Sequence, residues 1–163
     1  MKNNMEEKKK IPIKRLIEKA LDKLYKEDYN SLICLNHEKH VGERACVFRF
    51  GIYFSQILKR EKQFKGYNLD CEYNRNYDDP KRRNNGDLMI PDIILHKRGN
   101  NDNNIVVIEF KGWWSDVKSQ KDDIYKLKEL VDPYGKYKYQ YGYSIILNNV
   151  EKGKGKYTIT EVK

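Results

Sequence analysis

The residues of this sequence best suited to chemistry are Asp92, Glu109 and Lys111. Asp92 is the one acid in residues 90–96, IPDIILH, a short apolar run that reads as a strand. Residues 97–104 gather Gly, Asn and Asp, the composition of a hairpin loop. Residues 105–111, IVVIEFK, are β-branched and apolar until they end in Glu109-Phe110-Lys111. Side chains alternate along a strand, so Glu109 and Lys111 share a face with Val107, while Ile108 and Phe110 point the other way. Paired as a hairpin, the two strands bring two carboxylates and an ammonium to one edge of an oily sheet. Burying ions is costly unless they are paired or hold a metal. An ordinary hairpin with polar ends would carry the same residues, with the lysine turned to solvent.

The series Pro91-Asp92, a spacer, then Glu109-Phe110-Lys111 resembles the PD-(D/E)XK nuclease superfamily, the restriction-endonuclease-like fold. The resemblance implies that Asp92 and Glu109 bind a divalent cation and that Lys111 orients an attacking water. Oxygen ligands from Asp92, Glu109 and the Phe110 carbonyl suit Mg²⁺ or Mn²⁺. It further implies an α-β-β-β-α-β core, a mixed central sheet flanked by helices, in the α/β or α+β class. A narrower resemblance, to a group of small uncharacterised bacterial members, covers roughly residues 40–147. It rests on Glu43-Arg44, Arg49, Tyr53, residues 70–75 (DCEYNR), Pro80-Lys81, residues 91–94, residues 96–99 (HKRG) and residues 108–111. Ahead of Arg49 that group leads one to expect histidine; Phe48 stands there, and no histidine role transfers.

The flanking elements must position these groups. Apolar residues at Leu16, Ile17, Ala20, Leu21, Leu24 and Tyr25 predict a packing helix over 13–28. A second helix is predicted over about 37–64, with Asn36 as its N-cap and a stripe of Cys46, Val47, Phe50, Phe54 and Ile57. Extending that stripe back by three and four residues lands on Glu43. An acid in line with a core face must be paired or serve a site, and superfamily members often carry one on the first core helix. Glu43 is therefore the expected third acid, in or beside the metal shell. Glu38 rivals it from another face, with Gly42, Ala45 and Arg49, and Glu72 rivals it from a strand over 69–75. A surface ion pair with Lys39 is the ordinary use for Glu43. Residues 121–131 read as a helix with Asp122 and Asp123 in its first turn, and 141–147 and 156–162 as strands, the last at an edge.

With 163 residues and no linker or repeat, one domain is expected over 1–163, the charged residues 1–12 frayed. The net charge of +9 suits a polyanion, although abundant Lys, Asn, Ile and Tyr also fit the bias of an AT-rich genome. Lys81, Arg82 and Arg83 are the candidate phosphate contacts, joined by Arg75, Arg98 and Trp113, the last as a base-stacking surface. Three cysteines without a CxxC point to a reducing cytoplasm, and no apolar run is long enough for a membrane span. The expectation is a Mg²⁺- or Mn²⁺-dependent nuclease, acting on DNA in preference to RNA, with a homodimer or repeated nicking needed to cut a duplex. The rivals are a non-catalytic nucleic-acid-binding module and a protein-interaction module on the same fold.

Overall fold

A computed structural model describes residues 12–163; the fraying expected for residues 1–12 lies, but for Pro12, outside the described residues. Helix α1, Ile13–Asp28, has the predicted bounds and buries the whole predicted stripe. It ends in a single π-helical turn, Tyr29–Ile33.

The second helix is shorter than its periodicity predicts. Helix α2 spans Glu43–Leu58 rather than 37–64. Asn36 and His37 have φ of 48° and 69°, and Leu35 bridges to Lys39 in an antiparallel turn. Asn36 therefore makes a left-handed turn, a conformation that asparagine tolerates, and does not cap a helix. Beyond Leu58 the chain breaks and re-forms only a short 3-10 turn, Lys62–Phe64.

Five strands make one sheet in the order β1-β2-β3-β4-β5: β1 Asn68–Cys71, β2 Ile93–His96, β3 Val106–Gly112, β4 Tyr141–Leu147 and β5 Tyr157–Val162. The predicted hairpin is present, β2 and β3 pairing antiparallel. β1 with β2 and β4 with β5 are also antiparallel, while β3 and β4 run parallel through the crossover helix α3, Val117–Val131. The fold is thus mixed α+β. Its elements follow the expected order helix, three strands, helix, strand, with α1 added in front and β5 behind, at an edge. β1 stops at Cys71 instead of running to 75 because Glu72 turns to φ 49°.

The sheet lies between two apolar layers. On one face α1 and α2 pack on Ile93, Leu95, Val106, Ile108, Phe110 and Ile145. On the other, Leu127 and Leu130 of α3 pack with Met89, Ile94, Val107, Tyr137 and Tyr139. This is the alternation expected of a sheet buried on both sides. Among the described residues no helix is long and apolar enough to cross a membrane.

Two polar clamps join neighbouring elements, one between α1 and α2 and one at the β1–β2 edge of the sheet. Asp28, at the end of α1, accepts from Arg49 Nε at 3.2 Å and from the Tyr53 hydroxyl at 2.6 Å on α2. Asp70 on β1 accepts from the Arg98 guanidinium and pairs with His96 Nε2 at 2.8 Å. Arg98 and His96 outweigh the effect of burial and hold the Asp70 carboxyl below its usual range.

Candidate functional site

The sheet forks where the motif residues lie. Pairing of β2 with β3 ends at Ile93 opposite Ile108, whereas β3 continues to Gly112 against β4. The Phe110 N–H loses its strand partner there, and Asp92 Oδ2 accepts it at 2.7 Å. Asp92 sits in a bend just before β2, and its carbonyl accepts from Glu72 N at 3.1 Å. Burial pushes its carboxyl up to about 6, against the Phe110 hydrogen bond and Lys126, with Glu43 adding to the rise.

Glu109, across the fork from Asp92, is 1% exposed. Lys126 Nζ lies 2.6 Å from its Oε2, while Oε1 has no hydrogen-bond partner among the described residues. Burial, and then the neighbouring Asp92, raise this carboxyl well above its usual range. Lys111, two residues on and on the same face, reaches between layers. Its ammonium is 2.9 Å from Asp123 Oδ2, 3.4 Å from Glu43 Oε1 and 3.1 Å from the Phe110 carbonyl. Burial alone would make that ammonium easier to deprotonate; Asp123 and Glu43 outweigh it, so Lys111 stays firmly charged.

The three rival acids occupy different places. Glu43 opens α2, meets Lys111 rather than Lys39, and lines a 180 Å³ cavity with Asp92. Glu72 lines the same cavity, but its carboxylate is paired with Arg44 Nε at 3.0 Å. Glu38 is exposed in the turn ahead of α2 and not on the helix at all.

Sequence reasoning missed Asp123 and Lys126. Helix α3 begins at Val117, because Asp116 accepts from Ser119 N at 2.7 Å as an N-cap. Asp123 therefore lies in the second turn instead of the first, on the buried face with Leu127 and Leu130. Lys126 follows it at i+3 and points the same way. The signal was present: Asp123, Leu127 and Leu130 have the spacing that singled out Glu43.

Comparison of the chain with models of protein families, with curated proteins and with solved structures found no match. The site must be judged on its own donors. Among the described residues no three His, Cys, Asp or Glu side chains form a metal cluster. Asp92 and Glu109 with the Phe110 carbonyl nevertheless make a set of hard oxygen donors, the kind that suits Mg²⁺ or Mn²⁺. The orphaned, buried Glu109 Oε1 beside a second carboxylate is an arrangement that a divalent cation would satisfy.

The expected phosphate contacts are mostly engaged elsewhere. Lys81 is 2% exposed, and its ammonium donates to the carbonyls of Arg75 and Tyr73 over the Tyr73 ring. Burial lowers it to about 8. It closes the 73–81 loop and cannot reach a phosphate, contrary to expectation. Arg83 is held by Glu129 at 2.9 Å, and Arg98 by Asp70. Trp113 donates to the Ile33 carbonyl at 2.9 Å and carries Lys152 over its ring at 4.5 Å, so it serves packing. Arg75 and Arg82 are exposed, although Arg82 also donates to the Gly86 carbonyl.

Proposed function

We propose that the chain is a Mg²⁺- or Mn²⁺-dependent nuclease of the PD-(D/E)XK type that hydrolyses phosphodiester bonds, DNA being the favoured substrate. The observation that carries this reading is the unpartnered Glu109 Oε1 beside Asp92, with a charged lysine at the open end of the fork. Asp92, Glu109 and the Phe110 carbonyl would hold the cation, with Glu43 beside them. When bound, the cation supplies Lewis-acid stabilisation of charge on the phosphate.

The remaining work falls to the protein's own groups. Lys111 is held too firmly protonated, by Asp123 and Glu43, to accept a proton. Its part is to donate hydrogen bonds to the attacking water and to offset negative charge developing on phosphate. Asp123 and Glu43 fix where that ammonium sits. In hydrolysis one water oxygen bonds to phosphorus, one P–O ester bond breaks, and the departing oxygen gains a proton. Gly112 lets the Trp114 ring close over the end of β3, with His40 stacked on it at 3.6 Å. Cutting a duplex would take two copies of the chain or successive nicks. All three cysteines are free thiols, in keeping with a reducing cytoplasm.

A second reading is a non-catalytic binding or protein-interaction module on the same fold. Lys126 favours it, since an ammonium on Glu109 offsets charge that a metal would otherwise neutralise. Calorimetric titration with Mn²⁺ separates the two. The nuclease reading requires a site that Asp92→Asn removes; the module requires none.

A further inference from the structure

A cavity of 530 Å³ lies away from the carboxylates, at the opposite end of α2. Lys59, Lys62 and Lys65 line it with Phe64 and Tyr67, and Glu61 is the one carboxylate among its walls. The three lysines are exposed, and none forms an ion pair among the described residues. A second cavity, 320 Å³, adjoins the first through Ser55, Lys59 and Leu69. It adjoins the carboxylate cavity in turn through Phe48 and Cys71. Sharing these walls, the three cavities follow one another along α2 beside the edge strand β1, and we read them as one groove. Its ends, Glu43 and Lys59, lie about 24 Å apart at the helical rise of about 1.5 Å per residue.

We propose that this groove carries a single strand of nucleic acid away from the carboxylate site, its backbone held by Lys59, Lys62 and Lys65. The proposal rests on the nuclease reading for the end of the groove at Asp92, and goes beyond it in naming the strand's path. Three features select this occupant. The charge shifts along the groove, from three carboxylates, Glu43, Glu72 and Asp92, with Arg44 beside them at one end to Lys59, Lys62 and Lys65 with the single carboxylate Glu61 at the other. An acidic peptide would be repelled at the first end, whereas a phosphodiester there is accommodated once a cation is bound. Phe48, 63% exposed about a third of the way along, offers an aromatic face on which a base stacks. Strand addition by a peptide is disfavoured, because β1 has only four residues and Glu72 turns the chain at its end.

The test is binding of fluorescein-labelled oligothymidylate at several salt concentrations, in EDTA and again in Ca²⁺, which supplies a divalent cation to the carboxylate end. It compares the wild type, Lys59→Gln/Lys62→Gln/Lys65→Gln, and a control, Lys14→Gln/Lys19→Gln/Lys26→Gln, on exposed positions of α1. At about 0.7 per phosphate contact on a single strand, the groove variant should lower the salt slope by about 2 and lose about 100-fold in affinity at 0.1 M salt. The α1 variant should change little, Phe48→Ala should also weaken binding, and a blunt duplex should bind less tightly than the single strand. A matching uridylate probe tells whether RNA shares the path. Equal losses from the two lysine triples, displacement of the probe by polyglutamate, or no binding by the wild type would overturn the groove. Cleavage in Mn²⁺ is scored separately. Groove-dependent binding without cleavage sinks the nuclease reading alone, and cleavage without groove dependence sinks the groove alone.

Discussion

Lys126 Nζ stands 2.6 Å from Glu109 Oε2, joining the crossover helix to the strand it follows, at a carboxylate only 1% exposed. Removing one partner of such a buried pair leaves an uncompensated ion. Lys126→Met should therefore destabilise the fold in urea unfolding with EDTA present, by about 3–5 kcal/mol where Glu109 is ionised and by less at lower pH, where its raised carboxyl takes up a proton. The double variant Lys126→Met/Glu109→Gln should recover much of that loss. If a cation takes the same carboxylate, Mn²⁺ should stabilise Lys126→Met more than it stabilises the wild type.

The raised carboxyls give the metal-free fold a defined pH dependence. Asp92 is raised from 3.8 to about 6 and Glu109 is held well above its usual range, both chiefly by burial. Between the unfolded and folded values the native state binds more protons than the unfolded chain, so stability falls as pH rises. In EDTA the melting temperature should decline from about pH 4 through pH 6 and beyond. Asp92→Asn should flatten the part of that decline below about pH 6. An Asp92→Asn profile identical to that of the wild type would show that Asp92 is not held protonated.

Gly112 is a position where only glycine fits. A Cβ there would lie 2.3 Å from the Trp114 ring, which is itself stacked on His40. Gly112→Ala should destabilise the protein by about 1–3 kcal/mol through overpacking. The loss should be accompanied by a change in tryptophan fluorescence, and Trp114→Leu should relieve it.

What the sequence made legible follows the strength of its periodic signals. Helix α1 and strand β4 have the predicted bounds, since their apolar patterns run uninterrupted between polar breaks. The Asp92–Glu109 hairpin was legible because a turn-rich loop separates two β-branched runs. The start of α2 was not, because the Leu35–Lys39 turn continues the helical spacing of polar residues while its backbone turns left-handed. Asp123 and Lys126 were missed for a related reason. Setting the start of α3 at Lys121 placed the acids in a first turn, where the helix dipole already accounts for them. The Asp116 cap moves the start upstream and turns Asp123 inward. Lys81 misled in the other direction, since a run of three basic residues gives no hint that one ammonium closes its own loop on main-chain carbonyls.

Lys81→Met accordingly belongs to stability and not to binding. It should alter the unfolding free energy while leaving the salt slope of oligonucleotide binding unchanged. Arg82→Gln, at an exposed side chain, should lower that slope by no more than about 0.7. A drop of that size from Lys81→Met would mean that its ammonium leaves the Tyr73 and Arg75 carbonyls to meet phosphate.

The most direct measurement is cleavage of labelled single-stranded and duplex DNA in Mn²⁺ by the wild type and by Asp92→Asn, with Mn²⁺ binding followed in parallel by calorimetry. The arrangement of Asp92, Glu109 and Lys111 predicts metal-dependent cleavage by the wild type. It predicts that Asp92→Asn loses both cleavage and the Mn²⁺ site while still binding the oligonucleotide, since affinity comes from dispersed phosphate contacts. A wild type that binds no Mn²⁺, or an Asp92→Asn variant that cleaves as the wild type does, would contradict the account.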